Sequence, residues 1–307
     1  MAYQYITKSE NVYMLDTHMF GFNRFQSCYL VAGKQLALID AGVATSFEIV
    51  RAAIQNHGFA IKDIDHIFVT HAEHPDHSGN VGLLLKENSK ARVYVAPPGL
   101  EYLTNPEIEA AKREANLSAH MAARFGKMEP VPGSRIQLLK EGDIFDLGTG
   151  ERLKIMMTPG HQPGGIVIYE EKNKGLFIND LCGAFFADAE ASFIFTPFRA
   201  DVRDYKSSLK RVVKLPIKRL FLGHFGISDE PEKVLNNAMI KVQQLIDVSL
   251  ELNDQAEIFK KVMSIRLPEA EKIRAVRGEK LYEYLSQELM PSMSRAFTGY
   301  CQGLHAH

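Results

Sequence analysis

The chain has 307 residues, of which 46% are hydrophobic and 24% charged, so it can bury a large core without disulfide bonds. Its 36 Lys and Arg nearly balance its 37 Asp and Glu, which argues against a nucleic-acid-binding or membrane-binding surface. Three widely separated cysteines (Cys28, Cys182 and Cys301), with no CxxC pair, favour a reducing compartment over a disulfide framework.

The first half of the chain alternates strands with helices. Residues 1–10 show no basic segment leading into an apolar run, and no stretch approaches 18 apolar residues. We therefore expect a cytoplasmic protein without a signal peptide or a transmembrane helix. Strands are predicted over 11–15, 27–31, 35–39, 66–70 and 92–96, and helices over 44–57 and 79–87. This alternation predicts a sheet covered by helices.

The second half shows a similar pattern after a helical excursion over 107–124. Strands are predicted over 136–139, 153–157, 165–169, 175–178 and 219–222, and a helix over 201–213. From about Pro231 onward only helices are predicted, over 232–252, 269–276, 279–289 and 291–304, with Pro268 and Pro291 separating them. We therefore expect an α/β domain over residues 1–230 and a helical C-terminal extension over 231–307.

The densest group of polar residues follows the buried strand predicted over 66–70. The segment reads HAEHPDH and contains His71, Glu73, His74, Asp76 and His77. Loops at the ends of buried strands collect functional groups, because a rigid sheet positions them and the loop exposes them. Imidazole and carboxylate groups are the ligands suited to Zn, Fe, Mn or Ni, so this segment predicts a metal site rather than a polar surface loop.

Three further candidate ligands follow other predicted strands. His161 lies in a TPGHQPGG turn, Asp180 follows the strand over 175–178, and His224 lies in LGHFG after the last strand. A single histidine in such a position is more often structural. Together with the first cluster, however, these three residues predict one shared metal centre.

The order of these motifs resembles the metallo-β-lactamase superfamily over roughly residues 10–227, and the segment from Ile39 to Gly42 resembles its early IDTG turn. The flanking segments are most similar to the hydrolase branch that contains glyoxalase II and lactonase-like proteins. The resemblance implies an α/β fold, the αββα four-layer sandwich of that superfamily, with the C-terminal helical extension added. It also implies that Asp40 braces the metal site from behind.

Carried over position by position, the resemblance implies two divalent metal ions, with zinc favoured and iron or manganese as alternatives. His71 and His161 would bind the first ion, whereas Asp76, His77 and His224 would bind the second. Asp180 would bridge the two ions. Asp76 is also the expected catalytic residue, which orients the attacking water and passes on its proton.

The first motif is one residue longer than the family pattern HxHxDH. Counting back from Asp76 makes His74 the middle ligand, whereas counting forward from His71 selects Glu73. The second choice resembles the HxExDH pattern of flavodiiron proteins. We favour His74, because its spacing to Asp76 is unchanged and Pro75 stiffens that segment. Glu73 stays open as the alternative ligand, a proton carrier or an exposed charge.

Two functions are compatible with these motifs. One is a hydrolase that uses water activated between two metal ions to cleave a small ester, thioester or lactone. The alternative is a diiron redox or oxygen-binding protein that resembles the flavodiiron core without its flavodoxin domain. The aromatic residues after Asp180 are either core or an apolar wall for substrate: Phe185, Phe186, Phe193 and Phe195.

The helical extension carries apolar stripes, from Val234 to Val248 and from Leu281 to Leu289. Such stripes have to be buried, either on the α/β body, where they would help to roof the metal site, or on a second copy of the chain. We expect both. The predicted partners are therefore a small-molecule substrate and a second copy in a homodimer, with no nucleic acid and no membrane.

Overall fold

A computed structural model describes residues 8–305, with side chains described to residue 304; residues 1–7, on which much of the signal-peptide expectation falls, and residues 306–307 lie outside it. A seven-stranded sheet occupies the first part, with its strands side by side in chain order: β1 (Lys8–Ser9), β2 (Val12–Asp16), β3 (Ser27–Ala32), β4 (Leu36–Ile39), β5 (Ile64–Phe68), β6 (Arg92–Val95) and β7 (Ile136–Leu138). Strands β4 to β7 run parallel, so their carboxyl ends meet at one edge.

The second sheet has six strands. It contains β8 (Ile144–Asp146), β9 (Arg152–Met157), β10 (Ile166–Glu170) and β11 (Gly175–Phe177). A separate two-stranded hairpin follows, formed by β12 (Ala184–Phe186) and β13 (Ala191–Phe193). The chain then returns to the sheet through β14 (Arg219–Phe221), parallel to β11, and β15 (Ile227–Ser228).

Helices cover the outer faces of both sheets. Those of the first half are α1 (Phe47–Asn56), α2 (Val81–Glu87), α3 (Leu100–Thr104), α4 (Glu107–Asn116) and α5 (Ala119–Phe125). Those of the second half are α6 (Val202–Val212), α7 (Pro231–Glu251), α8 (Gln255–Arg277), α9 (Glu279–Glu283) and α10 (Met290–His305), with a π-helical turn over Tyr284–Leu289 between the last two. Short 3₁₀ turns lie at Met19–Gly21, Ala44–Ser46, Ile61–Asp63, Pro97–Gly99, Gly133–Arg135, Asn179–Cys182 and Ala187–Ala189.

Three apolar cores show the layer order. Phe68 and Ile155 lie in the core between the two sheets. Val50 of α1 packs on the outer face of the first sheet, and Leu209 of α6 packs on the outer face of the second. The order helix, sheet, sheet, helix is the αββα sandwich that the sequence predicted, and the helical extension follows it.

The strands and helices predicted for the α/β part are confirmed to within two residues, except that the helix predicted over 44–57 begins at Phe47, after a 3₁₀ turn, and the excursion over 107–124 divides into α4 and α5. The strands that the sequence missed are β1, β8, β12, β13 and β15. Each has two or three residues, too few for an alternating pattern to emerge. The three cysteines are buried and unpaired, and no helix within residues 8–305 has the length and apolarity to cross a membrane.

The prediction that two prolines separate helices in the extension is wrong. Pro268 lies inside the 23-residue α8, and Pro291 lies in the first turn of α10. Burial of Val262 and Ile273 on the same helix offsets the one backbone hydrogen bond that Pro268 removes. The wider π-helical turn directly before Pro291 gives its ring room against the preceding carbonyl groups.

Most residues of the apolar stripes of the extension are buried within the chain, whereas Ile240 of the first stripe is 59% exposed. Val234 and Val242 of α7 join the core on the second sheet, and Leu285 and Leu289 join a cluster with Phe25 and the hairpin. Because α7 shares a core with β9 and β10, the division at residue 230 stays a prediction. The homodimer stays a prediction as well, since within residues 8–304 these stripes already have intrachain partners.

Candidate metal centre

Six side chains from four loops converge where the strands of both sheets end. They form two overlapping groups within the described residues: Asp76, His77, Asp180 and His224, and His71, His161 and Asp180. The candidate ligand atoms of each group lie within 4.8 Å of one another, and all six residues are buried. Asp180 belongs to both groups, which is the position that a bridging ligand would occupy.

The two oxygens of Asp180 face different histidines. Its Oδ1 lies 3.3 Å from His224 Nε2 and 3.6 Å from His77 Nε2. Its Oδ2 lies 3.1 Å from His161 Nε2. Asp76 stands on the opposite side, with Oδ1 3.3 Å from His71 Nε2 and Oδ2 3.8 Å from His77 Nε2. The two carboxylates therefore enclose the Nε2 atoms of four histidines.

Three of these histidines have their outer nitrogen engaged. Nδ1 of His77 lies 3.0 Å from Asp40, Nδ1 of His224 lies 3.1 Å from the Phe25 carbonyl, and Nδ1 of His161 lies 3.2 Å from the Tyr205 hydroxyl. A histidine that donates from Nδ1 keeps the Nε2 lone pair free. Each ring is thus oriented to present an acceptor nitrogen to the centre.

Asp40 is held behind His77 by its local structure. It follows β4 with φ of 60°, a left-handed conformation that costs energy for a residue other than glycine. Its carboxylate accepts the Thr70 N–H at 2.8 Å, the Thr70 hydroxyl at 2.8 Å and the Asn179 amide at 3.2 Å. The structure therefore places Asp40 against a candidate ligand, as the resemblance implied.

The charges around the centre attract cations. Burial by itself would lower the pKa of His77, but the carboxylates of Asp40, Asp76 and Asp180 outweigh burial and raise that pKa well above its usual value. Burial lowers the pKa of His161 to about 3, so its imidazole is neutral at physiological pH. Burial opposes ionisation of Asp180, yet His161 and His224 keep its pKa well below the usual range.

The buried atoms of the centre also fit a metal pair. Nε2 of His71, His77 and His161, Oδ1 of Asp76 and both oxygens of Asp180 have no hydrogen-bond partner within the described chain. A buried polar group without a partner costs about 1–3 kcal/mol, and more when it is charged. Two divalent cations would satisfy all these atoms at once, and the nitrogen and carboxylate donors suit zinc, iron or manganese.

Glu73 and His74, the two candidates for the middle ligand, lie outside both groups. Nδ1 of His74 is 3.0 Å from Asp76 Oδ1, and its ring, 23% exposed, packs edge-on against Phe125. Glu73 is buried and turned away, with its carboxylate accepting the backbone N–H groups of Ala72 and Gly164. His74 remains next to the centre, whereas the Glu73 carboxylate is used by the backbone.

An apolar pocket opens onto the centre. His74, Asp76, His161 and His224 form its polar end. Its walls come from four regions, the loop between β2 and β3, the excursion, the segment after the hairpin and the extension: Met19, Phe25, Leu117, Met121, Phe125, Phe195, Pro197, Tyr284, Leu289, Ser292 and Met293. Of the four phenylalanines after Asp180, Phe195 lines the pocket while Phe185, Phe186 and Phe193 are buried in cores.

The sequence analysis did not identify several residues of the site. The Tyr205 hydroxyl of α6 lies 3.2 Å from His161 Nδ1, and the Gln26 side-chain amide donates a hydrogen bond of 2.8 Å to the Asp76 carbonyl. Neither lies in a motif, because each acts through tertiary contact. Asn179, which precedes Asp180, has a left-handed backbone conformation with φ of 47°. Asparagine adopts this conformation more often than most residues, and this preference was the one sequence signal for a tight turn at this position.

Comparison with known proteins agrees with this geometry. The family profile described as "Metallo-beta-lactamase superfamily" matches residues 21–224. The chain belongs to the metallo-β-lactamase superfamily. The matched segment contains all six residues of the two groups, and the α7 to α10 extension lies beyond it.

Individual proteins are similar to this chain at low identity. The archaeal protein ST1585 of Sulfolobus tokodaii superposes with a TM-score of 0.64 at 24% identity, over 83% of this chain and 95% of that chain. TTHA1429 of Thermus thermophilus superposes with a TM-score of 0.65 at 19% identity, over 97% of this chain and 95% of that one. "Putative diflavin flavoprotein A 2" of Synechocystis is 26% identical over 214 residues, 64% of this chain but only 32% of that protein.

Metal binding should release protons at neutral pH. The pKa of His77 is raised well above its usual value because the carboxylates around it outweigh burial, so this ring holds a proton that an incoming cation displaces. We expect about one proton released per chain, and binding that weakens as the pH falls. Calorimetric titrations in buffers of different ionisation enthalpy measure this number, and heats independent of the buffer would contradict it.

Proposed function

We propose that the chain is a metallo-hydrolase that cleaves a small uncharged ester, thioester or lactone at a two-metal centre. The observation that carries the proposal is the pocket. Its walls are mainly apolar, no Lys or Arg of residues 8–304 lines it, and it ends on histidines of both groups. A pocket with this lining suits a small molecule whose carbonyl reaches the centre while its apolar part lies against Phe125 and Phe195.

The residues of the centre would divide the work between two ions. His71 and His161 would hold the first, Asp76, His77 and His224 the second, and Asp180 both. When bound, such ions supply a water that ionises near neutral pH and a Lewis acid for the carbonyl oxygen. His74 is the candidate for a third ligand of the first ion, because its Nδ1 faces the Asp76 oxygen that also faces His71.

Asp76 is the proposed catalytic residue for proton movement. Its Oδ1 lies between His71 and His74, and His74 is the more exposed of these two rings. A proton taken up by the Asp76 carboxylate can leave through the pocket, which Asp76 itself lines. This step needs no other side chain, and general base assistance of this kind contributes about 10²–10⁴-fold.

A diiron redox protein is the second candidate, because the sequence relative reported above is a diflavin flavoprotein. The position of Glu73 favours the hydrolase. In the HxExDH pattern a glutamate is a ligand, whereas here its carboxylate accepts two backbone N–H groups outside both ligand groups.

The two candidates separate in one set of measurements on the full chain. Metal content is determined after purification without added metal, and the protein is assayed on short-chain esters, thioesters and lactones. We expect zinc or manganese and turnover of at least one of these classes. Asp76→Asn should lower kcat by about 10²-fold or more, whereas the exposed Asp247→Asn should leave it unchanged.

If no substrate of the panel is turned over, the protein contains two irons and the reduced protein consumes oxygen, the hydrolase proposal is overturned and the diiron interpretation is supported. If no substrate is turned over although the protein contains a full complement of zinc, the proposed substrate classes are overturned.

A further inference from the structure

Glu73 connects the two loops that carry the first-ion histidines. It is 8% exposed, and its Oε2 accepts the Ala72 N–H at 3.0 Å while its Oε1 accepts the Gly164 N–H at 2.6 Å. Ala72 follows His71 directly, and Gly164 is three residues after His161. Within residues 8–304 no Lys, Arg or His forms an ion pair with this carboxylate, so backbone N–H groups hold it in place.

A second contact joins the same two loops farther from the centre. The Ile166 N–H donates to the Thr70 carbonyl at 2.9 Å, just before the HAEHPDH segment. With Glu73 this makes two links on one side of His71 and His161, whose ring centroids are 4.8 Å apart. Loops linked at two points cannot slide past each other, so the separation of the two rings is fixed.

We propose that Glu73 is a positioning residue that sets the separation of His71 and His161 for the first metal ion, and that it is not itself a ligand. This inference rests on the proposed function only in taking the centre to bind metal. It also accounts for the extra residue in the motif. The insertion lets Glu73 turn toward the TPGHQPGG turn while Asp76 and His77 keep their places at the centre.

The chemistry of the link favours a carboxylate. Both of its partners are donors, so two acceptor oxygens match them, whereas the NH₂ group of a glutamine would face an N–H. The position of Gly164 is equally restricted. A Cβ atom there would lie 2.7 Å from Glu73 Oε1, so a larger residue displaces the carboxylate.

The test is metal binding by the full chain, with cobalt and zinc as the probes. Glu73→Gln is titrated against a competing chelator beside the wild type and beside Glu114→Gln, a control at an exposed glutamate. We expect affinity for the first ion to fall about 10–100-fold, the usual effect of losing a group that orients a ligand. The second ion should bind as before, and the cobalt absorption bands of the loaded protein should keep their positions.

Gly164→Ala extends the test without altering any candidate ligand. It should lower the affinity for the first ion to a similar extent. The double variant should lose little more affinity than either single variant, because both changes break the same link. Wild-type affinity in Glu73→Gln would overturn the inference. Shifted cobalt bands in that variant would overturn it too, by showing that Glu73 is a ligand. Neither result depends on turnover, so a failed substrate panel leaves this test intact.

Discussion

Asp180→Ala should remove both metal ions from the protein, the largest loss expected from any one substitution at the centre. Its two oxygens lie 3.1–3.6 Å from three histidines, so it is the one residue shared by both groups. Its loss leaves those histidines without the negative charge that offsets two cations. We expect less than about a tenth of wild-type metal content after dialysis and at least a 10³-fold loss of hydrolysis, since bound metal supplies both nucleophile and Lewis acid.

His224→Ala is the matched comparison for this prediction. His224 belongs to one group alone, so this variant should lose the second ion and retain the first. Elemental analysis and thermal unfolding with and without added metal measure both variants. A ligand that binds only the folded state raises stability, so added zinc should stabilise the wild type clearly and Asp180→Ala hardly at all. Full metal retention by Asp180→Ala would refute the bridging role.

The parts of the fold that the sequence revealed are those determined by local pattern. The strand over Ile64–Phe68 continues into the apolar Val69, five His, Glu and Asp residues follow between positions 71 and 77, and the pattern places these at a sheet edge. His161, Asp180 and His224 follow strands in the same way, and the structure brings all three to the same edge. Strand ends and their loops can therefore be predicted, because the local sequence determines both the burial of a strand and the chemistry of the side chains after it.

The parts that the sequence left open depend on contacts between distant segments. The direction of the Glu73 side chain is decided by the Gly164 N–H, which lies 91 residues away. The continuity of α8 through Pro268 is decided by what packs on that helix, because helix propensity is overridden where apolar faces are buried. The contribution of the extension to the pocket wall also depends on tertiary structure, since Leu289 and Met293 line the same pocket as Phe125.

Arg266→Met should destabilise the protein by about 3 kcal/mol, because this buried arginine connects the extension to the pocket wall. Arg266 is 2% exposed and donates to Ser294 Oγ at 2.9 Å, Thr196 Oγ1 at 2.7 Å and the Ile194 carbonyl at 3.1 Å. Burial lowers its pKa to about 9, so it stays charged at neutral pH. Within residues 8–304 no carboxylate pairs with it, and neutral oxygens alone stabilise the charge.

Two opposing effects decide whether Arg266→Met raises or lowers the free energy of unfolding. Methionine removes the cost of burying a charge, and such replacements are neutral or stabilising where the new side chain packs well. Against this, methionine leaves the oxygens of Ser294, Thr196 and Ile194 without their donor, and each unsatisfied buried group costs about 1–3 kcal/mol. The Met290 carbonyl, which accepts from Arg266 at 3.3 Å, loses its donor as well, and together these losses exceed the recovered desolvation. We therefore expect net destabilisation in chemical unfolding, and no change in the exposed control Arg203→Met.

The same substitution should also alter substrate binding. Thr196 lies between Phe195 and Pro197, which line the pocket, and its hydroxyl donates to the Met293 carbonyl of α10 at 2.9 Å. When Arg266 is lost, the bond from Thr196 to Met293 is left to join these two walls without the arginine, and the apolar part of the substrate is held less firmly. KM should rise several-fold while metal content stays at the wild-type level, because Arg266 contacts none of the candidate ligands. Wild-type stability and KM together would show that the arginine is dispensable and that packing alone holds the extension over the metal centre.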